Sequence, residues 1–333
     1  MPPVFGKVLT MLQDAHGREF SYLRLSITDV CNYRCNYCLP DGYQCESKQQ
    51  HLSLDEIKTL VSAFARNGIE KVRITGGEPS LRRDLCDIIT VIKNTPGIKK
   101  VALTTNAHQL DRKVKAWADA GLDALNVSCD SFDGRMLKAI IGRNNLTELL
   151  NGLAIAQTTT ISSIKINTVL LKQYNFSQIQ DLIAWVKDKP ISLRFIELMQ
   201  TLDNKAYFEK NHVSAQHVAD ILTAQGWQAI KRSKSAGPAK EFFHSDSLGK
   251  VGFIAPYSKD FCQSCNRLRI SSLGKLHLCL FGEAGHDLRP LLAEDKQHQL
   301  DGCIAALLND KPVSHFLQQG ISGCTSELAM LGG

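Results

Sequence analysis

Three cysteines near the start of the chain, Cys31, Cys35 and Cys38, follow one another with the spacing C-x3-C-x2-C. Thiolates can hold a [4Fe–4S] cluster, and three of them leave one iron without a protein ligand. A structural metal site closes its coordination shell, whereas a catalytic site keeps one position open. The alternatives are three unrelated thiols or a zinc knuckle, for which Cys45 and His51 are the closest further ligands. Because Cys45 lies outside the usual pair spacing, the pattern favours a cluster with an open iron.

A second cysteine group lies towards the end of the chain. Cys262, Cys265 and Cys279 have the spacing C-x2-C-x13-C, again three ligands instead of four. His277 would complete a Cys3His zinc site with a plausible spacing. The spacing alone therefore leaves a zinc site and a second open cluster as equal alternatives.

Two glycines follow the predicted strand Lys71–Thr75, in the run GGEP at residues 76–79. Residues without a side chain let a ligand come close to the backbone at a strand end. A tight turn is the simpler interpretation of a Gly-Gly pair taken alone. Tyr37, between the last two cysteines of the first triad, also has two interpretations: a stacking surface for a ring, or ordinary packing.

Strands and helices alternate between about residues 20 and 200, and these elements must position the motifs. The first triad directly follows the first strand, and loops after the strands build the active site of a βα barrel. The clearest helix begins at Ser53, which forms a capping box with Glu56, and ends at Gly68. Six βα units predict an α/β fold, a parallel sheet curved into a partial (βα)6 barrel that is open on one side. The predicted strands are Tyr22–Thr28, Lys71–Thr75, Lys99–Thr105, Ala124–Ser128, Ile164–Leu171 and Ile191–Leu198.

The pattern changes after about residue 230. The polar run 233–238 predicts a loop. Beyond it the sequence predicts three short strands and one helix, at Val251–Ile254, Leu268–Ser271, Leu276–Leu280 and Glu294–Leu308. We therefore expect two regions: residues 1–232 with the partial barrel, and residues 233–333, a smaller C-terminal α+β region that covers its open side.

The composition limits the class of protein. The chain has 333 residues, of which 44% are hydrophobic and 22% charged, as is typical of an enzyme with a full-sized core. No apolar run approaches the roughly eighteen residues of a membrane span. The first twenty residues lack a signal core, so we expect a cytoplasmic protein without a membrane partner. Eleven cysteines in such a protein indicate metal or redox chemistry. The net charge of +6 is spread along the chain, which suits a polyphosphate ligand better than nucleic acid.

Taken together, the motifs resemble the radical S-adenosylmethionine (SAM) superfamily and, within it, the GTP 3′,8-cyclase family. The first triad, with an aromatic residue before its last cysteine, and the GGEP run carry the wider resemblance. The narrower one rests on the second triad and on the runs RITGGEPSLRRD at 73–84, LNVSCDSFD at 125–133, KINTVLLK at 165–172, FIEL at 195–198 and FCQSCNRLRISSLGKLHLCLF at 261–281. It extends from about residue 20 to the end of the chain, and it implies that the second site is a [4Fe–4S] cluster.

The resemblance implies roles for individual residues. Two [4Fe–4S] clusters would be held by Cys31, Cys35 and Cys38 and by Cys262, Cys265 and Cys279. SAM would contact Tyr37, Gly77, Ser128 and Met199. GTP would be surrounded by Arg24, Arg73, Thr104, Lys165, Arg267, Leu268 and Arg269. Catalytic roles would fall to Arg24, Arg267, Arg269 and the terminal Gly332 and Gly333, which reach into the active site in that family. Taken alone, the two glycines are equally typical of a flexible tail.

The residue types suit such a ligand on their own terms. Arginine and lysine donate to the roughly four negative charges of a triphosphate. Arg267 and Arg269 alternate on a predicted strand, so both should point to one face. A solvated surface charge is the simpler interpretation of each basic residue. It is weaker for Arg73 and Lys165, because they interrupt apolar strands of a sheet buried on both faces.

The implied reaction is the conversion of GTP to (8S)-3′,8-cyclo-7,8-dihydroguanosine 5′-triphosphate, the first step of molybdenum cofactor biosynthesis. In it a 5′-deoxyadenosyl radical takes the C3′ hydrogen of the ribose, and the resulting carbon radical attacks C8 of guanine. The implied partners are an electron donor such as a flavodoxin or ferredoxin and cyclic pyranopterin monophosphate synthase, which receives the product. A homodimer is a possible assembly.

Two other functions compete with this one. A different radical SAM enzyme, such as a peptide-modifying enzyme with auxiliary clusters, would leave the paired arginines after Cys265 without a purpose. A zinc-bearing nucleic-acid-binding module would concentrate its basic residues on one helix or stripe, whereas here they are scattered along the chain.

Overall fold

The structure is a computed structural model that describes residues 11–44, 50–233, 236–282, 284–323 and 331. The strands within these residues are β1 (Leu12–Gln13), β2 (Glu19–Phe20), β3 (Tyr22–Ser26), β4 (Lys71–Thr75), β5 (Lys100–Thr105), β6 (Ala124–Ser128), β7 (Ser163–Leu170), β8 (Ile191–Glu197), β9 (Gln228–Ala229), β10 (Lys240–Phe243), β11 (Lys250–Ile254), β12 (Arg267–Ile270), β13 (Lys275–His277) and β14 (His286–Asp287). The α-helices are α1 (Leu54–Arg66), α2 (Leu85–Lys93), α3 (Leu110–Asp119), α4 (Gly134–Ile141), α5 (Leu146–Ala156), α6 (Ile179–Val186), α7 (Lys205–Asn211), α8 (Gln216–Ala224) and α9 (Gln297–Leu307). Cys45, Cys324, Gly332 and Gly333 lie outside the described residues.

Most of the described strands form one mixed sheet in the order β14-β13-β12-β3-β4-β5-β6-β7-β8-β11-β10-β9. From β12 through β3–β8 to β11, every neighbouring pair is parallel, and the pairs outside this block are antiparallel. The predicted α/β class with a mostly parallel sheet is thus confirmed. The six predicted strands from β3 to β8 agree with the structure to within two residues at each end.

The two faces of the parallel strands differ in chemistry. Side chains on one face, such as those of Leu23, Val72 and Leu125, are fully buried in the hydrophobic core together with the helices. Because side chains alternate along a strand, their neighbours point to the other face. Those neighbours include Arg24 and Arg73. The strand pattern therefore gives the sheet one apolar face and one face that carries polar and charged groups.

Helix α1 begins as the sequence predicts. Ser53 Oγ accepts a hydrogen bond from the Glu56 backbone N–H at 3.2 Å, and the Ser53 N–H donates to Glu56 Oε2 at 2.8 Å. Gly68 follows the helix with φ of 91°, a left-handed conformation that favours glycine. The capping box and the end of the helix near Gly68 are both confirmed.

The C-terminal strands meet the parallel block on both sides. β11 pairs with β8, and β12 pairs with β3. The predicted strand Leu276–Leu280 is wrong in its second half, because β13 ends at His277 and the chain turns there towards Cys279. The predicted helix Glu294–Leu308 is shorter than expected, since residues 294–296 form a 3-10 turn before α9. Sequence analysis missed the β1–β2 hairpin, whose two-residue strands are too short to show alternation.

Across the part of the chain that the structure describes, no helix combines the length and the apolar character that crossing a membrane requires.

Candidate active site

A cavity of about 600 Å³ lies on the charged face of the parallel strands. Its lining includes most of the residues that the resemblance assigns to GTP, namely Arg24, Arg73, Thr104, Lys165, Arg267 and Arg269. The remaining one, Leu268, has its side chain fully buried in the hydrophobic core. Leu268 lies between Arg267 and Arg269 on β12, so its side chain points to the opposite face of the sheet. The two arginines both face the cavity, as expected.

Strand register places three arginines side by side in this cavity. Arg24 on β3 is the register partner of Arg269 on β12 and of Arg73 on β4. Burial, reinforced by the charges of Arg269 and Arg73, holds the pKa of Arg24 well below its usual range. Burial and the neighbouring Arg267 lower the pKa of Arg269 to about 10. Positive charges removed from water in this way are costly without an anionic partner, so the cavity suits an anion.

Two groups of the protein already partner this positive charge. Glu241 Oε1, on β10, accepts hydrogen bonds from Arg194 Nη2 at 2.6 Å and Nε at 3.0 Å, and it lies 3.5 Å from Lys165 Nζ. Burial lowers the pKa of Lys165 to about 7. Glu241 therefore neutralises part of a cavity that otherwise carries an excess of positive charge.

Tyr22 is the second such group. Its hydroxyl accepts a hydrogen bond from Arg73 Nε, and Lys71 Nζ lies 4.4 Å from the centre of its ring. Burial alone would raise the pKa of Tyr22, but Arg73, Arg24 and Lys71 together lower it to about 7. The phenol of Tyr22 can therefore be ionised near neutral pH, which places a phenolate among the cations of this cavity.

A smaller cavity of about 170 Å³ adjoins the first. It is lined by the first triad and by all the residues that the resemblance assigns to SAM, namely Cys31, Cys35, Cys38, Tyr37, Gly77, Ser128 and Met199. Four residues line both cavities: Thr104, Asn167, Ile196 and Met199. Ligands in the two cavities would therefore meet at these residues.

The two glycines after β4 bring backbone against backbone. The Gly77 N–H donates to the Thr28 carbonyl at 2.9 Å, and the Glu78 N–H donates to the Val30 carbonyl at 2.8 Å. A Cβ on Gly76 would come within 2.2 Å of the Thr28 carbonyl oxygen, and one on Gly77 within 2.3 Å of that of Val30. The absence of side chains thus lets the GGEP run fix the segment that leads into the first triad.

The triad itself is held at the end of a helix. The Asn36 N–H donates to the Ile140 carbonyl and its Nδ2 to the Ala139 carbonyl, both at 3.0 Å. The Arg34 N–H donates to the carbonyl of Ile141 at 3.4 Å. These carbonyls belong to the last turn of α4, where no helical N–H is left to bond them. The cysteine-bearing loop therefore completes the helix end.

Two buried carboxyl groups, those of Glu78 and Asp130, lie near the first triad. The Tyr37 hydroxyl donates to Asp130 Oδ2 at 2.9 Å, and the Val169 N–H donates to Asp130 Oδ1 at 2.8 Å. Burial raises the pKa of Asp130 to about 6. Burial, with the other thiols and Asp130, raises the pKa of the Cys35 thiol well above its usual range, and burial raises that of Cys31.

The second triad has cations around it. Cys262, Cys265 and Cys279 all line the larger cavity, whereas His277 does not. Burial alone would raise the pKa of Cys265, but Arg267 and Lys311 lower it to about 7. A thiol in these surroundings is half ionised near neutral pH, which favours metal ligation.

The donor sets can be tested against the two kinds of metal centre. Among the described residues, no group of three or more His, Cys, Asp or Glu stands close enough together for a single metal ion. Zinc needs its ligands within about 2.3 Å of one ion, whereas the thiolates of a [4Fe–4S] cluster bind different irons and stand farther apart. Each triad presents its three thiols to one cavity. The three thiols of each triad therefore fit a [4Fe–4S] cluster that keeps one iron open.

Sequence analysis missed several charged residues of the larger cavity. Lys71 and Arg194 lie on β4 and β8, where a charge among apolar residues was a usable signal, as it was for Arg73. Glu241 and Lys311 come from the C-terminal region and have no motif of their own. Only the three-dimensional contacts bring them to the site.

Comparison with known proteins agrees with this site. Residues 25–186 match the family model of the Radical SAM superfamily, and residues 191–317 match that of Molybdenum Cofactor Synthesis C. SuiB of Streptococcus suis, solved bound to S-adenosylmethionine, superimposes with a TM-score of 0.59 at 15% identity. That comparison covers 88% of this chain and 69% of SuiB, and at this identity it shows a shared fold alone.

Two curated relatives match along the whole chain. The GTP 3′,8-cyclase of Tolumonas auensis is 51% identical and that of Psychromonas ingrahamii is 52% identical. Each alignment covers 100% of this chain and 99% of the relative. The chain therefore belongs to the GTP 3′,8-cyclase family.

Proposed function

We propose that this chain converts GTP to (8S)-3′,8-cyclo-7,8-dihydroguanosine 5′-triphosphate, the first step of molybdenum cofactor biosynthesis. One observation carries the proposal: a cavity with a cysteine triad adjoins a larger cavity that combines a second triad with a row of arginines. The chain is 51% and 52% identical in sequence to two relatives named GTP 3′,8-cyclase, which supports the same activity.

The cofactors that we infer are SAM and two [4Fe–4S] clusters. Cys31, Cys35 and Cys38 would hold the first cluster, and Cys262, Cys265 and Cys279 the second. When bound, SAM and the reduced first cluster would supply a 5′-deoxyadenosyl radical, which would account for loss of the C3′ hydrogen of GTP. Tyr37, Gly77, Ser128 and Met199 would bind SAM beside the first triad.

The protein's own residues would bind and orient GTP. Arg24, Arg73 and Arg269 offer adjacent guanidinium donors, which suit phosphate oxygens. Thr104 lines both cavities, so it would lie where the ribose of GTP meets SAM. Lys165 and Arg267 add positive charge, and Leu268 would contribute through its backbone alone.

The catalytic roles of Arg24, Arg267, Arg269 and the terminal Gly332 and Gly333 remain proposals. One contact supports a role for the tail: Arg269 Nη1 donates to the Leu331 carbonyl at 3.0 Å. Leu331 directly precedes the two glycines, so the chain enters its last residues beside a cavity-lining arginine.

For the architecture we propose that β3–β8 form a partial (βα)6 barrel within residues 1–232. The C-terminal region, residues 233–333, would cover its open side. The pairing of β11 with β8 and of β12 with β3 supports this arrangement. Four expectations stay predictions: a flavodoxin or ferredoxin as electron donor, transfer of the product to cyclic pyranopterin monophosphate synthase, a homodimer, and a cytoplasmic location.

An anaerobic assay tests the proposal. The reconstituted chain should contain about eight irons and, with dithionite, SAM and GTP, it should release 5′-deoxyadenosine. GTP deuterated at C3′ should pass deuterium to that product, and ATP in its place should not support turnover. Four irons with zinc, and SAM cleavage indifferent to GTP, would leave SAM chemistry in place and rule out GTP as the substrate.

A further inference from the structure

Arg18 lies in the β1–β2 hairpin, far along the chain from the second triad, yet it contacts the backbone of that triad. Its side chain is buried, with 8% of the residue exposed. Nη1 donates to the Val313 carbonyl at 2.9 Å and to the Cys262 carbonyl at 3.3 Å, and Nη2 donates to the Pro312 carbonyl at 2.7 Å. Asp14 Oδ2 accepts from Arg18 Nε at 2.6 Å and so fixes the guanidinium in the hairpin. One side chain therefore joins three separate parts of the chain.

Lys311 performs a similar function on the other cysteine-bearing loop. It is 3% exposed and lines the larger cavity. Its Nζ donates to the carbonyl of Leu278, the residue before Cys279. The same Nζ lies 5.4 Å from the centre of the Phe20 ring on β2, close enough for a cation–π contact. Lys311 thus connects the last ligand of the triad to the hairpin that carries Arg18.

Residues 311–314 link the two cations. Lys311, Pro312 and Val313 supply the contacts above, and Ser314 Oγ lies 3.6 Å from Cys262 Sγ as a hydrogen-bond donor. The segment therefore contacts the loops of both Cys262 and Cys279. Those loops are separated in the sequence by β12 and β13, so their spacing depends on contacts of this kind.

We infer that Arg18 and Lys311 are positioning residues of the second cluster. Together with residues 312–314, these two residues are called the triad clamp below. The inference rests on the proposed function, since it takes the second triad to hold a cluster. Arg18 would set the place of Cys262, and Lys311 that of Cys279. Because a cluster becomes more negative on reduction, a buried cation beside it favours the reduced form. Lys311 would therefore raise the reduction potential of the second cluster as well.

A general structural role predicts something different. If Arg18 and Lys311 only fastened the hairpin to the fold, their loss would weaken the whole chain and both clusters alike. The clamp predicts damage confined to the second cluster. The first cluster, whose ligands lie in the other cavity, provides an internal reference for each variant.

The test uses the full chain, reconstituted anaerobically with iron and sulfide. The variants are Arg18→Gln, Arg18→Lys and Lys311→Met, with Arg66→Gln as the matched control. Arg66 also bridges distant segments, donating to both carboxylate oxygens of Asp301 at 2.9 Å, but it lines neither cavity. The measurements are iron and sulfide per chain, a redox titration of each cluster followed by electron paramagnetic resonance, and SAM cleavage without GTP.

We expect Arg18→Gln to lose the second cluster, so that iron falls from about eight to about four per chain while the first cluster keeps its signal and its SAM cleavage. Arg18→Lys should keep part of the second cluster, because an ammonium keeps the charge but cannot reach all three carbonyls. Lys311→Met should shift the potential of the second cluster to a more negative value and leave that of the first unchanged. Arg66→Gln should match the wild type.

Three results would overturn the clamp. The first is about eight irons and unshifted potentials in both Arg18→Gln and Lys311→Met. The second is the loss of both clusters in Arg18→Gln, which would mean a general role. The third is a wild-type chain that takes up only one cluster, which would overturn the two-cluster function at the same time. The first two leave the proposed function standing.

Discussion

The two cysteine triads have opposite surroundings. The first lies near the buried carboxyl groups of Glu78 and Asp130, and burial raises the pKa of Asp130 to about 6 and the thiol pKa of Cys35 well above its usual range. The second lies among Arg18, Arg267 and Lys311, and the pKa of Cys265 is lowered to about 7. Three cysteines on each side, with different spacings, are therefore placed in an acidic and in a basic environment.

This difference matches the ligands that we propose for each side. SAM carries a sulfonium cation, which carboxyl groups attract, whereas GTP carries a triphosphate, which guanidinium groups attract. The mode of attachment differs as well. The first triad is held by backbone contacts with α4 and with the GGEP run, and the second by side chains from distant segments. The triads supply the thiol ligands on both sides, and the charged groups around each triad would determine which ligand binds beside it.

The largest effects should come from removing one ligand on each side. Cys35→Ser should abolish SAM cleavage, by about a thousandfold or more, whether or not GTP is present. Cys265→Ser should abolish the cyclic product to the same degree and yet keep slow SAM cleavage that GTP no longer stimulates. Anaerobic assays of 5′-deoxyadenosine and of product mass check both. Identical behaviour of the two variants would contradict a division of labour between the triads.

Much of this comparison was predictable from the sequence, and the reasons are local. Strand alternation predicted that Arg267 and Arg269 share a face, and the same rule explains why Leu268 lies in the core. For the glycines of the GGEP run the sequence left open a tight turn or the close approach of a ligand, and the structure brings them against the backbone of Thr28 and Val30. Arg18 had no such signal, because its contact with Cys262 spans 244 positions. Contacts between segments that are distant in the chain produce no repeating residue pattern from which they could be predicted.

The next effect concerns the basic side alone. Arg73 Nη1 donates to Thr104 Oγ1 at 3.1 Å, and Arg73 lines the larger cavity beside Arg24. Arg73→Gln should weaken GTP binding about 10- to 100-fold, which is the usual worth of a lost charge-assisted hydrogen bond. The KM for SAM should stay within about twofold, a difference of less than 0.5 kcal/mol. KM values measured for GTP and for SAM, with Arg66→Gln as the control, show whether binding in the larger cavity can be weakened without affecting binding in the smaller one.

Thiol reactivity gives a smaller effect. In the anaerobic, metal-free chain, about half of Cys265 should be thiolate at pH 7. Its alkylation rate should fall about tenfold for each pH unit below that value. At pH 7 it should react more than about ten times faster than Cys31 or Cys35, whose pKa is raised. Lys311→Met should slow Cys265, because it removes a charge that lowers its pKa.

Peptide mapping after short exposure to iodoacetamide measures these rates. Cys129 is an internal control, because it is 1% exposed and burial raises its pKa. It should stay unmodified throughout. A slower reaction at Cys265 than at Cys35 would reverse the proposed order of the two environments.

The smallest effect separates two tyrosines of the first triad. Tyr37 donates to buried Asp130, whereas the buried hydroxyl of Tyr33 has no hydrogen-bond partner among the described residues. Tyr37→Phe should cost about 1–2 kcal/mol of unfolding free energy at pH 8, since it leaves a buried carboxylate short of a donor. Tyr33→Phe should cost almost nothing.

The sign of the pH dependence follows from the carboxyl group. The hydrogen bond from Tyr37 lowers the pKa of Asp130 against the larger effect of burial, so its loss raises that pKa above about 6. The missing bond matters most where Asp130 is ionised, above this pKa, and the deficit of Tyr37→Phe should shrink as the pH falls from 8 to 5. Urea midpoints at the two pH values, with Tyr33→Phe alongside, measure it. A deficit that instead grew on acidification would mean that the first triad is not the acidic side of the molecule.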